Sequence, residues 1–353
     1  MRVLHTYCLN YNIGDYALGI GLKSLMRKYL PIDFIGNTNL QGRVFNQYYI
    51  NEVVNKQYDL LVIGGGGVIH GKHWPNGWFW LIDIDLIKEI KIPFIVYGVG
   101  NNYWDEELPI AKKTIAHLDE TKRLSAFFSV RNDKSYERLK EQTNIESAIV
   151  PDPGFHVNLI EDYYQIEKRP YVIIQVANDK PEKRLGKVKK HADFVDDMKR
   201  LVKYLSKKYL IVFVPHVFED VHLSEQISNG ISNTYVYNFS DYAFDRSDRV
   251  VSFYKYAKFV LSMRGHGQII PISFSTPVIA LENHPKHRGL MENLNLLDCS
   301  VSIDDEEFVY KTLHAINKIE HEGDAIKERL NKINKKLEIE SKVAFKTIAD
   351  RLR

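Results

Sequence analysis

Three side chains able to handle anions and protons fall close together in Met263-Arg264-Gly265-His266-Gly267 and His284-Pro285-Lys286-His287. Arg264 and Lys286 carry fixed positive charge, and His266 is of the one residue type that titrates near neutrality. Between them lie a segment of helical pattern and the run Thr276-Pro277-Val278-Ile279-Ala280, which predicts consecutive turns of one α/β unit. Such a site can hold a small anion and deliver a proton on the same surface. That suits a group-transfer enzyme better than a scaffold.

Other segments offer candidates, each with a structural alternative. Asn12-Ile13-Gly14-Asp15 follows a strand pattern and opens a helical one, so its amides are left either to a ligand or to a cap supplied by Asp15. Gly64-Gly65-Gly66-Gly67 closes the strand pattern Leu60–Ile63 and would let the backbone approach a ligand. It does not meet the dinucleotide fingerprint, because the third glycine would fall on Ile69 or His70, and no lysine–hydroxyl pair follows as in a phosphate loop. Trp74, Trp78, Phe79 and Trp80, with Tyr103-Trp104 further on, either stack on a sugar or base or form helix core; the reading sends Trp74 to a ligand and Trp80 to the core. Arg131 ends a strand pattern where open α/β sheets bind ligands, and is either an anion fork or a strut between domains paired with Asp133 or Asp152. The pairs His70/His73 and His284/His287 lack a carboxylate at ligand spacing, so no metal is expected.

These residues must be positioned by alternating strands and helices. Strands are predicted at Val3–Tyr7, Asp59–Ile63, Pro93–Tyr97, Ala126–Val130 and Ala148–Val150, with helices at Tyr16–Tyr29, Phe79–Glu89, Glu106–Leu118 and Asp133–Gln142. After Asp152-Pro153-Gly154 and a charged, aromatic stretch, the alternation resumes at Tyr171–Val176. It continues through a helix near Ala192–Lys207, a strand at Leu210–Val214, a helix after Glu219, a strand at Phe259–Ser262, a helix from about Gln268 and a strand at Pro277–Leu281. The expected fold is α/β, with two Rossmann-like domains, 1–165 and 166–323, facing one cleft. Ile326, Leu330, Ile333 and Leu337 predict amphipathic helices in a tail, 324–353, that packs across the domains.

Composition narrows the function. With 353 residues the chain exceeds the ~250–300 at which single cores stop growing. A net charge of +3 gives no broad basic face for nucleic acid. No stretch reads as a signal peptide or a membrane span, so the expected location is the cytoplasm, at most peripheral to the inner face of a membrane. Cys8 and Cys299 give neither a disulfide framework nor zinc spacing and read as buried thiols.

The ordered set Asn12-x-Gly14-Asp15, Gly64–Gly67, Ser129-x-Arg131, Asp152-Pro153-Gly154, Arg264-x-His266-Gly267 and His284-Pro285-Lys286-His287 resembles the polysaccharide pyruvyl transferase family across almost the whole chain. The resemblance implies a fold like that of GT-B glycosyltransferases. It also implies transfer of a pyruvyl group from phosphoenolpyruvate, with no further cofactor, to a sugar as a cyclic ketal. It assigns Arg131, His266 and Lys286 to the donor, to which the bottom-up reading adds Arg264, with Asp15 as a second catalytic candidate. Asn12, Gly14, Gly65, Gly66 and Trp74 are the candidates for the acceptor, a carrier-linked or nucleotide-linked saccharide. The family commonly carries a larger apolar residue where Gly265 stands. Two other functions fit the same residues: a GT-B glycosyltransferase using a nucleotide sugar, and a noncatalytic protein binding an anionic glycan or nucleotide.

Overall fold

Apolar runs such as Tyr171–Gln175 and Leu210–Phe213 have no polar face to give to water, so they form strands only where both faces of a sheet are covered. In the computed structural model they lie in two six-stranded parallel sheets. The structure describes all residues except 10–11, 71–73, 103–109, 160–169, 185–189 and 238–246.

The first sheet holds β1 (Arg2–Tyr7), β2 (Phe34–Asn39), β3 (Leu60–Ile69), β4 (Phe94–Asn101), β5 (Phe127–Arg131) and β6 (Ala148–Val150), in the order β2-β1-β3-β4-β5-β6. The second holds β7 (Tyr171–Gln175), β8 (Leu210–Phe213), β9 (Thr234–Val236), β10 (Val260–Ser262), β11 (Val278–Glu282) and β12 (Ser300–Ser302), in the order β12-β11-β10-β7-β8-β9. Counted from β7, this is the 3-2-1-4-5-6 order of dinucleotide-binding folds, whose strand order reverses between the first and fourth strands. The reversal falls between β7 and β10, so the carboxyl ends of these two strands are where a ligand is expected. The longer helices are numbered α1 (Ile13–Tyr29), α2 (Lys112–Leu124), α3 (Ser135–Gln142), α4 (His191–Leu205), α5 (Glu219–Ser228), α6 (Ser247–Tyr256), α7 (Gly265–Ser273), α8 (Pro285–Asn293) and α9 (Phe308–Arg351).

The chain forms two compact units, neither of them contiguous. One comprises Met1–Asn10, Leu18–Asn158 and Leu337–Arg353; the other comprises Tyr11–Ala17 and Leu159–Lys336. A boundary at 165/166 lies outside the described residues. Residues 324–353 lie in the second of two helical segments of α9, which meet at a kink at Glu322; this segment belongs to the second unit as far as Lys336 and to the first from Leu337. Ala344, Phe345 and Ile348 of its last turns are buried with Val3, Leu22, Met26, Val62, Ile95 and Tyr97 in one core of the first unit. A second core, on Leu61, Ile63, Val96, Trp78 and Trp80, covers the other face of the sheet.

Several expectations need correction. Phe79–Glu89 is not an α-helix: only Ile84–Glu89 turns, as a 3-10 helix started by Asp83, whose carboxylate accepts from the Asp85 N–H at 3.0 Å. Trp78 instead pairs antiparallel with Ile69. The glycine run does not end its strand. Gly64–Gly67 lie inside β3, where a Cβ at Gly64 would stand 2.3 Å from Leu22 and one at Gly65 2.2 Å from Leu18, so these glycines admit α1 to the sheet. Positive φ values of 68° and 88° at Gly65 and Gly66 accompany a register shift against β4. Part of the helix expected at Glu106–Leu118 lies outside the described residues; α2 begins at Lys112 and extends to Leu124. Strands β2, β9 and β12 went unread in the sequence.

Candidate functional site

The site is built where β10 ends. Met263 and Arg264 leave the strand, and α7 starts at Gly265 with Arg264 as its N-cap, no side chain capping its first turn. Helix α7 can start this close to the sheet only because Gly267 has no side chain: a Cβ there would lie 2.1 Å from Ser262 Oγ. Ser262 Oγ in turn donates to Gln175 Oε1 at 2.9 Å, joining β10 to β7 across the strand-order reversal. A Cβ built at Gly265 meets nothing within 4 Å among the described residues, so there is open space beside the first residue of α7. An uncapped helix start beside open space offers N–H donors and a partial positive charge to an anion.

His266 is half-buried in this first turn, and its ring rests on the start of α1. A Cβ at Gly14 would stand 2.5 Å from His266 Nδ1, so the two segments approach this closely only with glycine at position 14. The start of α1 is fixed in the same unit by three bonds. Gly14 N donates to Asn12 Oδ1 at 2.9 Å, Tyr16 N to Asn12 O at 3.1 Å, and Ile13 N to His216 O at 3.2 Å. The helix therefore begins three residues before the predicted Tyr16, and its cap is Asn12 rather than Asp15. Asp15 is half-buried in the first turn.

Arg264 does not present an open guanidinium. Its Nε and Nη2 donate to Asp220 at 2.7 and 2.6 Å, and Nη2 also donates to Asp179 at 2.5 Å. Burial opposes the charge on Arg264, but the two carboxylates outweigh it and hold the guanidinium more firmly protonated than usual. Asp220 is fully buried and also accepts from the backbone N–H groups of Asn178, His216 and Val217 at 3.0, 3.1 and 3.3 Å. It thus ties the segments following β7 and β8 to the start of α7. Asp179 is one-third exposed and is gripped a second time by Arg184, at 3.1 and 2.9 Å.

Lys286 is half-buried in the first turn of α8, which is capped by His284: its Nδ1 accepts from Lys286 N at 3.2 Å. That bond occupies one His284 ring nitrogen, which removes it from metal ligation. Among the described residues no group of three or more histidines, cysteines, aspartates or glutamates is arranged so that it could hold a metal ion. His73, proposed with His70, lies outside them.

His216, Tyr254, Asp179 and Asp220 went unnoticed in the sequence. His216 is fully buried, with Nε2 2.6 Å from Tyr254 Oη. Burial, aided by the charges of Arg264 and His266, keeps its pKa well below the usual histidine value. A histidine immediately after the strand pattern Leu210–Val214 was a legible signal; the pairing of Asp179 and Asp220 with one arginine was not.

The remaining candidates lie in the first unit. Arg131 ends β5 with its guanidinium buried between Asp133, 2.5 Å from Nε, and Asp152, 3.2 Å from Nη1. All three belong to one unit, so the expected strut between domains is a strut within one. The edge of the guanidinium carrying Nη2 lies against Gly100, where a Cβ would come within 2.7 Å. Gly65 and Gly66 lie within β3, where Gly65 packs against Leu18. The Trp74 ring lies tilted against Phe79, with ring centroids 4.6 Å apart, while Trp78 and Trp80 are fully buried, as read for Trp80. Tyr103-Trp104 and Lys72 lie outside the described residues. Cys8 and Cys299 are both free and buried.

Two Rossmann-like α/β units define a GT-B-like protein, with a cation-rich, proton-capable helix start at the strand-order reversal of the second. The chain belongs to the polysaccharide pyruvyl transferase family, whose sequence profile matches residues 12–285. It is therefore a member of a transferase family. A comparison with curated proteins gave no significant match. Among solved structures it is similar to UDP-GlcNAc 2-epimerase from Neisseria meningitidis bound to UDP-GlcNAc, with a TM-score of 0.57 and 14% identity over 100% of this chain and 99% of that one. The S. aureus MnaA–UDP co-structure gives 0.54 and 10% over 93% and 90%. The UDP-GlcNAc 2-epimerase of Methanocaldococcus jannaschii gives 0.54 and 12% over 90% and 92%. At these identities the likeness concerns the fold alone. Among the described residues no helix is long and apolar enough to cross a membrane.

Proposed function

We propose that the protein transfers the pyruvyl group of phosphoenolpyruvate to two hydroxyls of a sugar, as a cyclic ketal, on a carrier-linked or nucleotide-linked precursor of a cell-surface polysaccharide. The observation that carries this reading is the uncapped start of α7, with open space beside it, His266 in its first turn and Lys286 heading α8. Phosphoenolpyruvate places a carboxylate and a phosphate on one enol carbon. The helix start and Lys286 suit these anions, and the resemblance assigns the Arg131 fork to them as well.

In this reading His266, as imidazolium, protonates the methylene carbon, and the electron pair of the double bond forms the new C–H bond. The adjacent carbon becomes electrophilic and a sugar hydroxyl adds to it. The C–O bond to phosphate then breaks, and a second hydroxyl closes the ketal. Of the two hydroxyl protons released, one returns to His266 and the other leaves with phosphate. In this reading Asp15 polarises a sugar hydroxyl. Arg264, held by Asp220 at the start of α7, is the additional donor candidate, its Nη2 shared with Asp179.

The test is thermal stabilisation by phosphoenolpyruvate of the wild type and of Lys286→Ala, with UDP-GlcNAc in parallel. A shift with phosphoenolpyruvate that is lost in the variant supports the donor site. A shift with UDP-GlcNAc alone transfers the reading to a glycosyltransferase.

A further inference from the structure

One carboxylate in this site faces cations from three segments. Asp179 accepts from Arg264 Nη2 at 2.5 Å and from Arg184 Nε and Nη2 at 3.1 and 2.9 Å, and Lys286 adds its charge. Arg264 has no structural need of it, because the fully buried Asp220 already receives two of its nitrogens. The two acids also differ in placement. Asp220 is sealed under the strand ends and satisfied by backbone N–H groups, whereas the side chain of Asp179 is 32% exposed. Burial opposes ionisation of Asp179, yet Arg264 and Arg184 hold its pKa down to about 2, so it is anionic throughout the working pH range. It hangs on the N-cap arginine of α7, next to the open space beside the first residue of that helix.

We propose that Asp179 is a specificity-determining residue: in the ligand-free chain its carboxylate takes the place of an incoming anion on Arg264, so that only a multiply charged ligand displaces it. A carboxylate-plus-phosphate ligand carries enough charge to compete for Arg264 and Lys286 together. A monoanion such as pyruvate does not, because it meets the fixed negative charge with too little attraction to offset it. The inference rests on the donor reading above only for the identity of the natural ligand.

Affinities of the wild type, Asp179→Asn and Asp179→Ser for phosphoenolpyruvate, inorganic phosphate and pyruvate, measured by calorimetry, test it. Removal of the charge is expected to tighten phosphate and pyruvate binding by roughly tenfold or more and to narrow the preference for phosphoenolpyruvate. Unchanged or weaker anion binding in folded variants overturns the proposal and leaves Asp179 a strut for Arg184 and Arg264. If neither variant folds, a crystal structure of the wild type with phosphoenolpyruvate decides: Asp179 still bonded to Arg264 Nη2 overturns it, and its release supports it. The two readings fail separately. Tighter phosphate binding in the variants with no phosphoenolpyruvate binding in any form keeps Asp179 and removes the donor; wild-type phosphoenolpyruvate binding without any gain in the variants does the reverse.

Discussion

The ring of His266 and the backbone of Gly14 touch so closely that a single added carbon on Gly14 would sit 2.5 Å from Nδ1 and 2.7 Å from the His266 Cβ. Two segments about 250 residues apart in sequence thereby fix the orientation of the proposed acid, a distance no local pattern encodes.

Gly14→Ala is expected to push the His266 ring out of place. Alanine favours the first turn of a helix by up to ~1 kcal/mol, but overpacking costs ~1–3 kcal/mol, so the clash prevails. Turnover should fall about a hundredfold while Tm changes by only a few degrees, since a misplacement of about 1 Å suffices for such a loss. Steady-state kinetics and a thermal melt on the same sample check this.

His266→Gln keeps the volume and removes the titrating proton. Product formation should stop, with donor affinity by calorimetry changed less than about threefold. Retained turnover removes His266 from the chemistry.

Arg131→Ala leaves Asp133 and Asp152 buried without their shared cation. Such losses run to ~3–5 kcal/mol, so the urea midpoint should drop markedly. Arg131→Lys reaches only one of the two carboxylates and should fall between. A variant that lost donor binding at undiminished stability would return Arg131 to a purely ligand-facing role.

Stability should fall as the medium becomes acid, in a stated window. His156, bonded through Nε2 to Ser341 Oγ at 2.8 Å, has its pKa lowered by burial to about 4 from an ordinary value of 6.5; burial also holds His216 well below its ordinary value. Between pH 6.5 and about 4 the unfolded chain therefore binds protons that the folded chain refuses. The stability present above pH 6.5 is lost progressively below it. Asp179, depressed from 3.8 to about 2, adds a second loss between those values. Urea midpoints measured from pH 8 to pH 2 check both; a flat profile between pH 6.5 and 4 contradicts the first.

Gly265→Leu should be tolerated, because its side chain would enter open space. Removing a glycine from a helix start favours folding by up to ~1 kcal/mol, so Tm should hold or rise. A drop of several degrees would mean that the space is filled in solution.

The sequence disclosed those parts of the fold that depend on composition and short range. Buried parallel strands such as Tyr171–Gln175 announce themselves as apolar runs, and β10, α7 and β11 appear within a few residues of their predicted places. Of the four edge strands, β6 is legible at Ala148–Val150 but β2, β9 and β12 are not. Phe34–Asn39 carries glycine, asparagine and threonine, and the other two are three residues long, too short for a period. The candidate site was legible as residue types: Arg264, His266 and Lys286 do gather around the starts of α7 and α8. Its wiring was not. That Arg264 is bound by Asp179 and Asp220, or that Gly65 seats Leu18 rather than a phosphate, depends on contacts between strand ends remote in sequence, to which local patterning is blind.

The division of α9 at Lys336/Leu337 bears on how the chain must be made and cut. Ala344, Phe345 and Ile348 belong to the same core as Val3 of the opening strand. During synthesis, then, the earliest unit begun is the last completed: its sheet emerges first, but that face is covered only in part, by α1, until the closing turns of α9 leave the ribosome. A fragment ending before residue 337 would expose the apolar face that these turns cover, and would be expected to aggregate rather than report on an isolated domain.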